Sequence, residues 1–303
     1  RWVFPLVALE IAGAKQLFAE RVINSLLLVT DAHHGGRLYT LVANQQGIPS
    51  LVVQHGATVG DWGYVPLYAT RFAAWGEISA EWMVTKGVPC ERLVVTGQPR
   101  LDNLVNDRRA VTRDTLSERL NLTSVGFWLL WAMDPIPKFE NDRVLQILLE
   151  TMVHLPWCHL IIRPHPGIQQ LGWILGSVRG RERVAVSSVS ESLYDILHTV
   201  DALVIQGSTV GIEAMAMDKP VLVLQERDSP ANALYIQSGA ATQVSRADEL
   251  AEALTGIYNC QQTGKVDALT LNRRDFVRRY LLEVDGQSAR RVANALAALQ
   301  KDR

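Results

Sequence analysis

The stretch 201–224 carries residues whose types and spacing suit nucleotide chemistry. Its apolar run Ala202–Ile205 has the length of a strand, the turn GST at 207–209 suits a helix start, and a helical pattern follows. A strand leading into a helix N-terminus leaves backbone N–H groups and the positive end of the helix dipole at the sheet edge, which favours an anion. Glu213 lies about one turn further on. The stretch therefore predicts a nucleotide site, with ribose at Glu213 and phosphate at Gly207, Ser208 and Thr209. The alternative is an ordinary turn of a parallel sheet, with Glu213 a surface residue.

The loop RPHPG at 163–167 is a second candidate, because it follows the predicted strand His159–Arg163. Two prolines flank His165 and stiffen the loop. A histidine held there can donate to a phosphate or protonate a leaving phosphate. We assign Arg163 and His165 to the same nucleotide site, together with Ser188, whose hydroxyl follows the next predicted strand. An exposed turn histidine and a solvated serine are the alternatives.

Two further candidates follow strands in the first part of the chain. Asp31 can act as a general base if it is partly desolvated, or it can cap the following turn. His55, in the motif QHG at 54–56, can contact an acceptor or a donor phosphate, or it can serve packing alone. His33 and His34 are adjacent, but neighbouring side chains do not converge on one ion without further ligands. We therefore predict no metal site.

Composition excludes several classes of protein. The 303 residues are 48% hydrophobic and 20% charged, as in an ordinary globular protein, and the net charge of -1 gives no general attraction to nucleic acid. Three separated cysteines suit a reducing cytoplasm. No apolar run is long enough to span a bilayer, and the opening segment lacks the features of a signal peptide. Neither a dinucleotide fingerprint nor a P-loop is present, so we predict no cofactor.

Strands and helices are predicted to alternate, which is typical of parallel α/β sheets. The predicted strands are Ser25–Thr30, Ser50–Gln54, Arg71–Trp75, Arg92–Thr96, Gly126–Trp131, His159–Arg163, Arg183–Ser187, Asp201–Ile205, Pro220–Leu224 and Ala241–Val244. The predicted helices are Arg37–Gln46, Ser79–Lys86, Asp142–His154, Glu191–Thr199, Ser208–Met217, Ala247–Tyr258, Arg273–Leu282 and Gln287–Leu299. Residues 101–122 are predicted to form a crossing helix or linker. We therefore expect two Rossmann-like domains, an incomplete one at 1–120 and a second at 121–303 that includes the C-terminal helices.

The order of the short motifs resembles that of bacterial surface-polysaccharide transferases of the GT-B fold. The similarity is to the group with a histidine-proline motif and a downstream serine/threonine motif. That group includes CDP-glycerol glycerophosphotransferases, Kdo transferases of capsule synthesis, and bacterial sialyl- and polysialyltransferases. The motifs that carry the resemblance are QHG (54–56), WGE (75–77), VTGQPRLD (95–102), RPHP (163–166), STVGIEAMAMDKPV (208–221) and DGQSARRV (285–292).

This resemblance implies two parallel-sheet domains facing a cleft, a nucleotide-sugar or nucleotide-polyol donor in the C-terminal domain, and a saccharide or lipid-linked acceptor at the N-terminal domain. His165, Ser208 and Thr209 match motif residues expected at the donor phosphate. Glu213 matches the acidic residue expected near the ribose, and Asp31 and His55 are the candidates for the base. The implied reaction is a metal-independent inverting displacement in a cytoplasmic protein, with peripheral contact at the inner face of the membrane as an option.

Two other functions also fit the sequence. One is an isomerase similar to UDP-N-acetylglucosamine 2-epimerase, which shares the architecture and needs no acceptor. The other is a non-catalytic domain that binds a nucleotide-sugar.

Overall fold

Two parallel β-sheets organise the chain. The computed structural model describes residues 3–58, 60–106, 111–168, 170–225 and 230–301. The strands are β1 (Leu26–Leu28), β2 (Ser50–Val53), β3 (Arg71–Ala74), β4 (Leu93–Val95), β5 (Phe127–Ala132), β6 (Cys158–Arg163), β7 (Val184–Val186), β8 (Ala202–Ile205), β9 (Val221–Leu224) and β10 (Thr242–Val244). The helices are α1 (Val3–Glu20), α2 (His34–Gln45), α3 (Glu77–Thr85), α4 (Asp102–Asn106), α5 (Arg113–Leu120), α6 (Lys138–His154), α7 (Gly172–Val178), α8 (Leu193–Thr199), α9 (Val210–Ala216), α10 (Pro230–Gln237), α11 (Ala247–Gln262), α12 (Thr270–Leu281) and α13 (Ser288–Lys301).

All ten predicted strands are confirmed, with ends that differ by no more than two residues. The strands of the second sheet have the clearest pattern, because their central members are mostly apolar and buried on both faces, as parallel strands between helices usually are. Every residue of β5, β6, β8 and β9 is buried. The eight predicted helices are also present, whereas α1, α7 and α10 were not predicted.

The chain divides into two compact units, residues 1–106 with 278–303, and residues 107–277. The first unit holds a four-stranded sheet in the order β1-β2-β3-β4, and the second a six-stranded sheet in the order β10-β9-β8-β5-β6-β7. Each described strand pair in both sheets is parallel.

This division differs from the predicted boundary at residue 120 in two places. Residues 107–120 group with the second unit, where Arg113 of α5 pairs with Asp201 at 3.0 Å and lies over the ring of Trp128. Residues 278–303 group with the first unit, because the apolar side of α13 packs on Leu51 and Ala73 of the first sheet. A C-terminal segment that returns to the first sheet leaves no local sequence signal, so it could not be predicted from the pattern.

Asp102 holds the start of α13. Its two carboxylate oxygens accept the backbone N–H groups of Ser288 and Ala289 at 2.9 and 2.7 Å. Arg291, one turn along, donates to the Thr96 carbonyl at 2.8 Å. The motifs at 95–102 and 285–292 therefore meet in the first unit, where they anchor a helix that is distant in sequence.

We expect Asp102→Ala to lower the free energy of unfolding by about 2 kcal/mol, because a buried carboxylate that satisfies two helix N-terminal N–H groups is lost. Chemical denaturation of the full chain would measure this change. Asp114→Ala, which removes an exposed carboxylate at the start of α5, is the control and should cost less than half as much. Equal losses for the two variants would show that Asp102 does not anchor α13.

Candidate functional site

The loops that follow β5, β6 and β8 form the candidate donor site of the second unit. These three strands are neighbours in the sheet, in the order β8-β5-β6. Because the strands are parallel, their carboxyl ends meet at one edge, where ligands bind in open α/β sheets. The sheet therefore brings the loop at 206–209 and the loop at 164–168 to the same edge, with the loop after β5 between them.

Hydrogen bonds within the turn and from α10 hold the turn after β8. The Ser208 hydroxyl accepts the N–H of Val210 at 3.3 Å, and the Tyr235 hydroxyl donates to the Ser208 carbonyl at 2.9 Å. Thr209 is the N-cap residue of α9, and its side chain makes no capping hydrogen bond. At Gly211 a Cβ would lie 2.7 Å from Cδ1 of Ile205, so a larger residue would require the Ile205 side chain to move.

Glu213 is 2% exposed. Its position in the middle of α9 places its carboxyl inside the second unit, so the alternative that Glu213 is a surface residue is wrong. Because a buried acidic group requires polar partners, its burial in a short helix beside the turn fits a binding role better than a solvent-facing one. The contact with ribose stays a prediction.

Asp134 is the residue of this site that sequence reasoning missed. It follows β5, and its carboxyl group receives hydrogen bonds from the Gly207 N–H and the Ser208 hydroxyl. Burial raises its pKa to about 6, although these two hydrogen bonds oppose the shift. The available signal was an aspartate two residues after a fully apolar strand, at the edge where the other candidates lie. A carboxyl group thus contacts the turn that is predicted to bind phosphate.

His165 has a defined hydrogen-bonding state. Its Nδ1 accepts the backbone N–H of Gly167 at 3.0 Å. A nitrogen that accepts carries no proton in the neutral ring, so we assign the proton to Nε2. His165 therefore offers an N–H donor from a half-buried position at the carboxyl end of β6. This is the group that a phosphate oxygen requires.

Arg163 and Ser188 were assigned to the nucleotide site, and the contacts of Arg163 correct that assignment. Its buried guanidinium donates to the carbonyls of Ser188, Val189 and Glu191, the last two at 3.0 and 2.7 Å. Arg163 therefore holds the loop between β7 and α8. The Ser188 hydroxyl lies 2.7 Å from that of Ser190, in an exposed position. Solvation of a loop explains this serine as well as ligand contact does, and its nucleotide contact stays a prediction.

Asp31, in the first unit, lies where it does not suit the role of a general base. It is 1% exposed, and its Oδ2 accepts the backbone N–H groups of Tyr68 and Ala69, each at 2.7 Å. These two contacts hold the carboxylate against the backbone of residues 68 and 69 and keep it from solvent. The predicted alternative was a cap of the following turn, whereas the backbone that Asp31 caps lies 37 residues further along the chain.

His55 has the opposite tautomer to His165, because its proton lies on Nδ1. Its Nδ1 lies 3.1 Å from the Val29 carbonyl, which can only accept, so Nδ1 carries the proton and Nε2 keeps its lone pair. The ring stacks on Tyr64 with centroids 4.8 Å apart. Partial burial lowers the pKa of His55 below its ordinary value, although the hydrogen bond to the Val29 carbonyl opposes this shift. His55 is therefore a neutral ring with a basic nitrogen at neutral pH.

The motifs QHG and WGE keep His55 in place. Gln54 accepts the Trp75 N–H with its side-chain oxygen at 2.8 Å and donates to the Ser79 hydroxyl at 3.0 Å. The indole N–H of Trp75 donates to the Gln54 carbonyl at 2.8 Å. At Gly76 a Cβ would lie 2.4 Å from the backbone of Tyr280, so glycine is required there. These motif residues support His55.

His33 and His34 point to different partners. The His33 ring lies against Trp62, and His34 pairs with Glu10 of α1. Among the described residues, no group of three or more histidine, cysteine, aspartate or glutamate side chains is arranged to hold a metal ion. In the same part of the chain, no helix is long and apolar enough to cross a membrane.

Solved structures show the class of fold. UDP-N-acetylglucosamine 2-epimerase from Neisseria meningitidis, bound to UDP-GlcNAc, matches with a TM-score of 0.67 and 14% identity over 98% of this chain and 82% of that chain. MnaA from S. aureus, solved with UDP, matches with a TM-score of 0.69 and 12% identity over 99% and 82%. The wall teichoic acid polymerase TagF matches with a TM-score of 0.59 and 16% identity over 84% and 68%. At these identities the likeness shows the fold alone, two parallel-sheet α/β domains of GT-B type.

The family is established by sequence. The profile of the CDP-glycerol:poly(glycerophosphate) glycerophosphotransferases matches residues 79–298, and the chain belongs to that family. It is thus a transferase of nucleotide-activated donors, as the resemblance of its motifs implied. The likeness to epimerases is structural only and does not favour the isomerase alternative. No curated protein sequence matches the chain.

Proposed function

We propose that this protein transfers a polyol-phosphate group, with CDP-glycerol as the first candidate donor, to a hydroxyl group of a growing surface polysaccharide. The observation that carries the proposal is that two histidines have opposite tautomers, and so present different groups at Nε2. His55 presents a basic Nε2, whereas His165 presents an Nε2–H donor. A transfer to a hydroxyl group needs both, because a proton is removed from the acceptor while negative charge develops on the leaving phosphate.

In the proposed reaction, Nε2 of His55 takes the proton of the acceptor hydroxyl as its oxygen attacks the β-phosphorus of the donor. A new O–P bond forms, the bond between the β-phosphorus and the bridging oxygen breaks, and CMP leaves. His165 donates to the phosphate through Nε2–H, with Thr209 as a further donor and Glu213 at the ribose. The Ser208 hydroxyl donates to the phosphate after it turns away from Asp134. Since these groups absorb the charge, the scheme calls on no metal and no cofactor.

The acceptor side of the proposal is a saccharide or a lipid-linked saccharide. A lipid-linked acceptor would bring the protein to the inner face of the membrane from the cytoplasm as a peripheral protein. A glycosyl group is the alternative cargo, and it would require attack at a sugar carbon instead of phosphorus.

Thermal unfolding of the full chain with CMP, CDP, UDP, GDP and NAD would test the donor site. We expect a cytidine nucleotide to stabilise the protein selectively, by about 2.7 kcal/mol at a hundred times its Kd. His165→Asn should remove most of this stabilisation. His154→Asn, which changes an exposed histidine of the same unit, is the control and should keep it. Equal stabilisation of the His165 variant, or none by any nucleotide, would contradict the donor site.

A further inference from the structure

Two aromatic rings lie on either side of Gly63 in the first unit. Trp62 is 84% exposed, and its ring meets the exposed ring of His33 edge-on, with centroids 5.0 Å apart and planes at 71°. Tyr64 is buried and stacks on His55. The loop thus offers an exposed indole on one side and supports the imidazole of His55 on the other.

Gly63 brings this loop against the basic edge of His55. It has a φ of +99°, and a Cβ there would lie 3.7 Å from both Cε1 and Nε2 of His55. The Thr30 hydroxyl donates to the Gly63 carbonyl at 3.3 Å, which fixes the loop from a second side. Trp62 is the residue before Gly63, and consecutive Cα atoms are about 3.8 Å apart, so Trp62 belongs to the part of the loop that borders His55.

An exposed apolar side chain alone signals little. Trp62 differs because tryptophan is usually well buried, and because it pairs with a second exposed ring beside a basic nitrogen. The indole has a flat apolar face and a polar N–H at its rim. The C–H face of a sugar ring stacks on such a surface, while its hydroxyl groups remain free for hydrogen bonds.

Two cations near this loop, Lys86 and Arg37, contact other groups of the protein. Lys86 lies 2.6 Å from Asp61 and above the ring of Trp82. Arg37 donates to the Ala32 carbonyl at 2.7 Å and lies above the ring of Tyr68. Since the protein itself engages these cations, they offer little to a phosphate. The surroundings of Trp62 therefore favour an uncharged ring over a polyol-phosphate chain.

We infer that Trp62 and His33 bind a sugar ring of the acceptor, so that the acceptor presents a cyclic sugar rather than an open-chain polyol phosphate at this position. The inference rests on the proposed function in one respect, namely that His55 receives the proton of the acceptor hydroxyl. Trp62 then selects the acceptor by stacking, and His55 acts on a hydroxyl group of the stacked ring.

Saturation-transfer NMR of the full chain with a panel of methyl pyranosides, and with glycerol 3-phosphate, would test the inference without a donor. At least one pyranoside should bind, and Trp62→Ala should weaken it at least tenfold. Trp62→Phe should stay within about threefold of the wild type. Phe139→Ala, which removes a 72% exposed ring from the second unit, should change nothing. Binding of no pyranoside, or equal binding by Trp62→Ala, would overturn the inference.

Turnover separates this inference from the proposed function. With a pyranoside acceptor, Trp62→Ala should raise KM at least tenfold and leave kcat within threefold. Normal KM in this variant, with active transfer, would refute the role of Trp62 while the proposed function stands. Pyranoside binding that depends on Trp62, without transfer from any nucleotide donor, would refute the proposed function while the sugar site stands.

Discussion

His55→Asn should lower kcat for transfer from CDP-glycerol by about a thousandfold, within the range of 10²–10⁴ that a general base contributes. The side-chain amide of asparagine can still donate to the Val29 carbonyl, so the loop keeps its hydrogen bond. What disappears is Nε2, the nitrogen with the lone pair. Release of CMP in steady state, with saturating donor and acceptor, would measure the change.

Two controls sharpen this prediction. His34→Asn changes an exposed histidine of the same unit that pairs with Glu10, and it should leave kcat within threefold. Because partial burial lowers the pKa of His55, kcat/KM should fall only below about pH 6.5, its ordinary value, and stay level above pH 7. A loss smaller than threefold in the His55 variant would exclude this histidine as the base.

Asp134→Asn should raise the free energy of unfolding at pH 8 by up to about 3 kcal/mol, at 1.36 kcal/mol per pKa unit. The cause is the raised pKa of Asp134, about 6 in the folded protein against an ordinary value of 3.8. The protonated carboxyl group is the stable form in the fold. The stability it provides is complete below pH 3.8 and is lost as the pH rises through 6. Asparagine keeps an oxygen that accepts from Gly207 and carries no charge.

Urea unfolding of both proteins between pH 5 and pH 8 would test the prediction. The gain in the free energy of unfolding of Asp134→Asn over the wild type should shrink towards pH 5, to roughly half its value at pH 8. Glu150→Gln, which neutralises an exposed carboxylate of α6, should show no such trend. An advantage that does not depend on pH would rule out ionisation of Asp134 as its source.

Asp134→Asn also tests the donor site, through its effect on nucleotide binding. An ionised Asp134 repels any phosphate that approaches Gly207 and Ser208, so Asp134→Asn should tighten nucleotide diphosphate binding at pH 8. Isothermal titration calorimetry would measure the Kd. Weaker binding would instead mean that the carboxylate accepts a hydrogen bond from the ligand.

Local sequence patterns predicted the strands well and the roles of polar residues less well. The runs in β5, β8 and β9 are apolar throughout and end at turn residues, so their position follows from composition alone. Asp31 and Arg163 also sit at strand ends, but their partners lie 37 and 25–28 residues away. Whether such a side chain faces a ligand or a distant backbone depends on tertiary packing, which the pattern does not contain.

Helices without amphipathic spacing or start signals were harder to find. The segment of α1 is apolar on most sides, and Phe4, Leu6 and Leu9 are exposed in the structure. Without a polar face, its sequence could not be told from an irregular apolar segment. The tautomers of His55 and His165 were also beyond sequence, because they depend on the carbonyl of Val29 and the N–H of Gly167.

The most direct test of the proposed function is the release of CMP from CDP-glycerol by the purified chain, with and without a saccharide acceptor. We expect release that depends on the acceptor, product in which acceptor and glycerol phosphate are joined, and loss of both in His55→Asn and His165→Asn. No release from CDP-glycerol in the presence of acceptors, together with conversion of UDP-N-acetylglucosamine in their absence, would contradict the account.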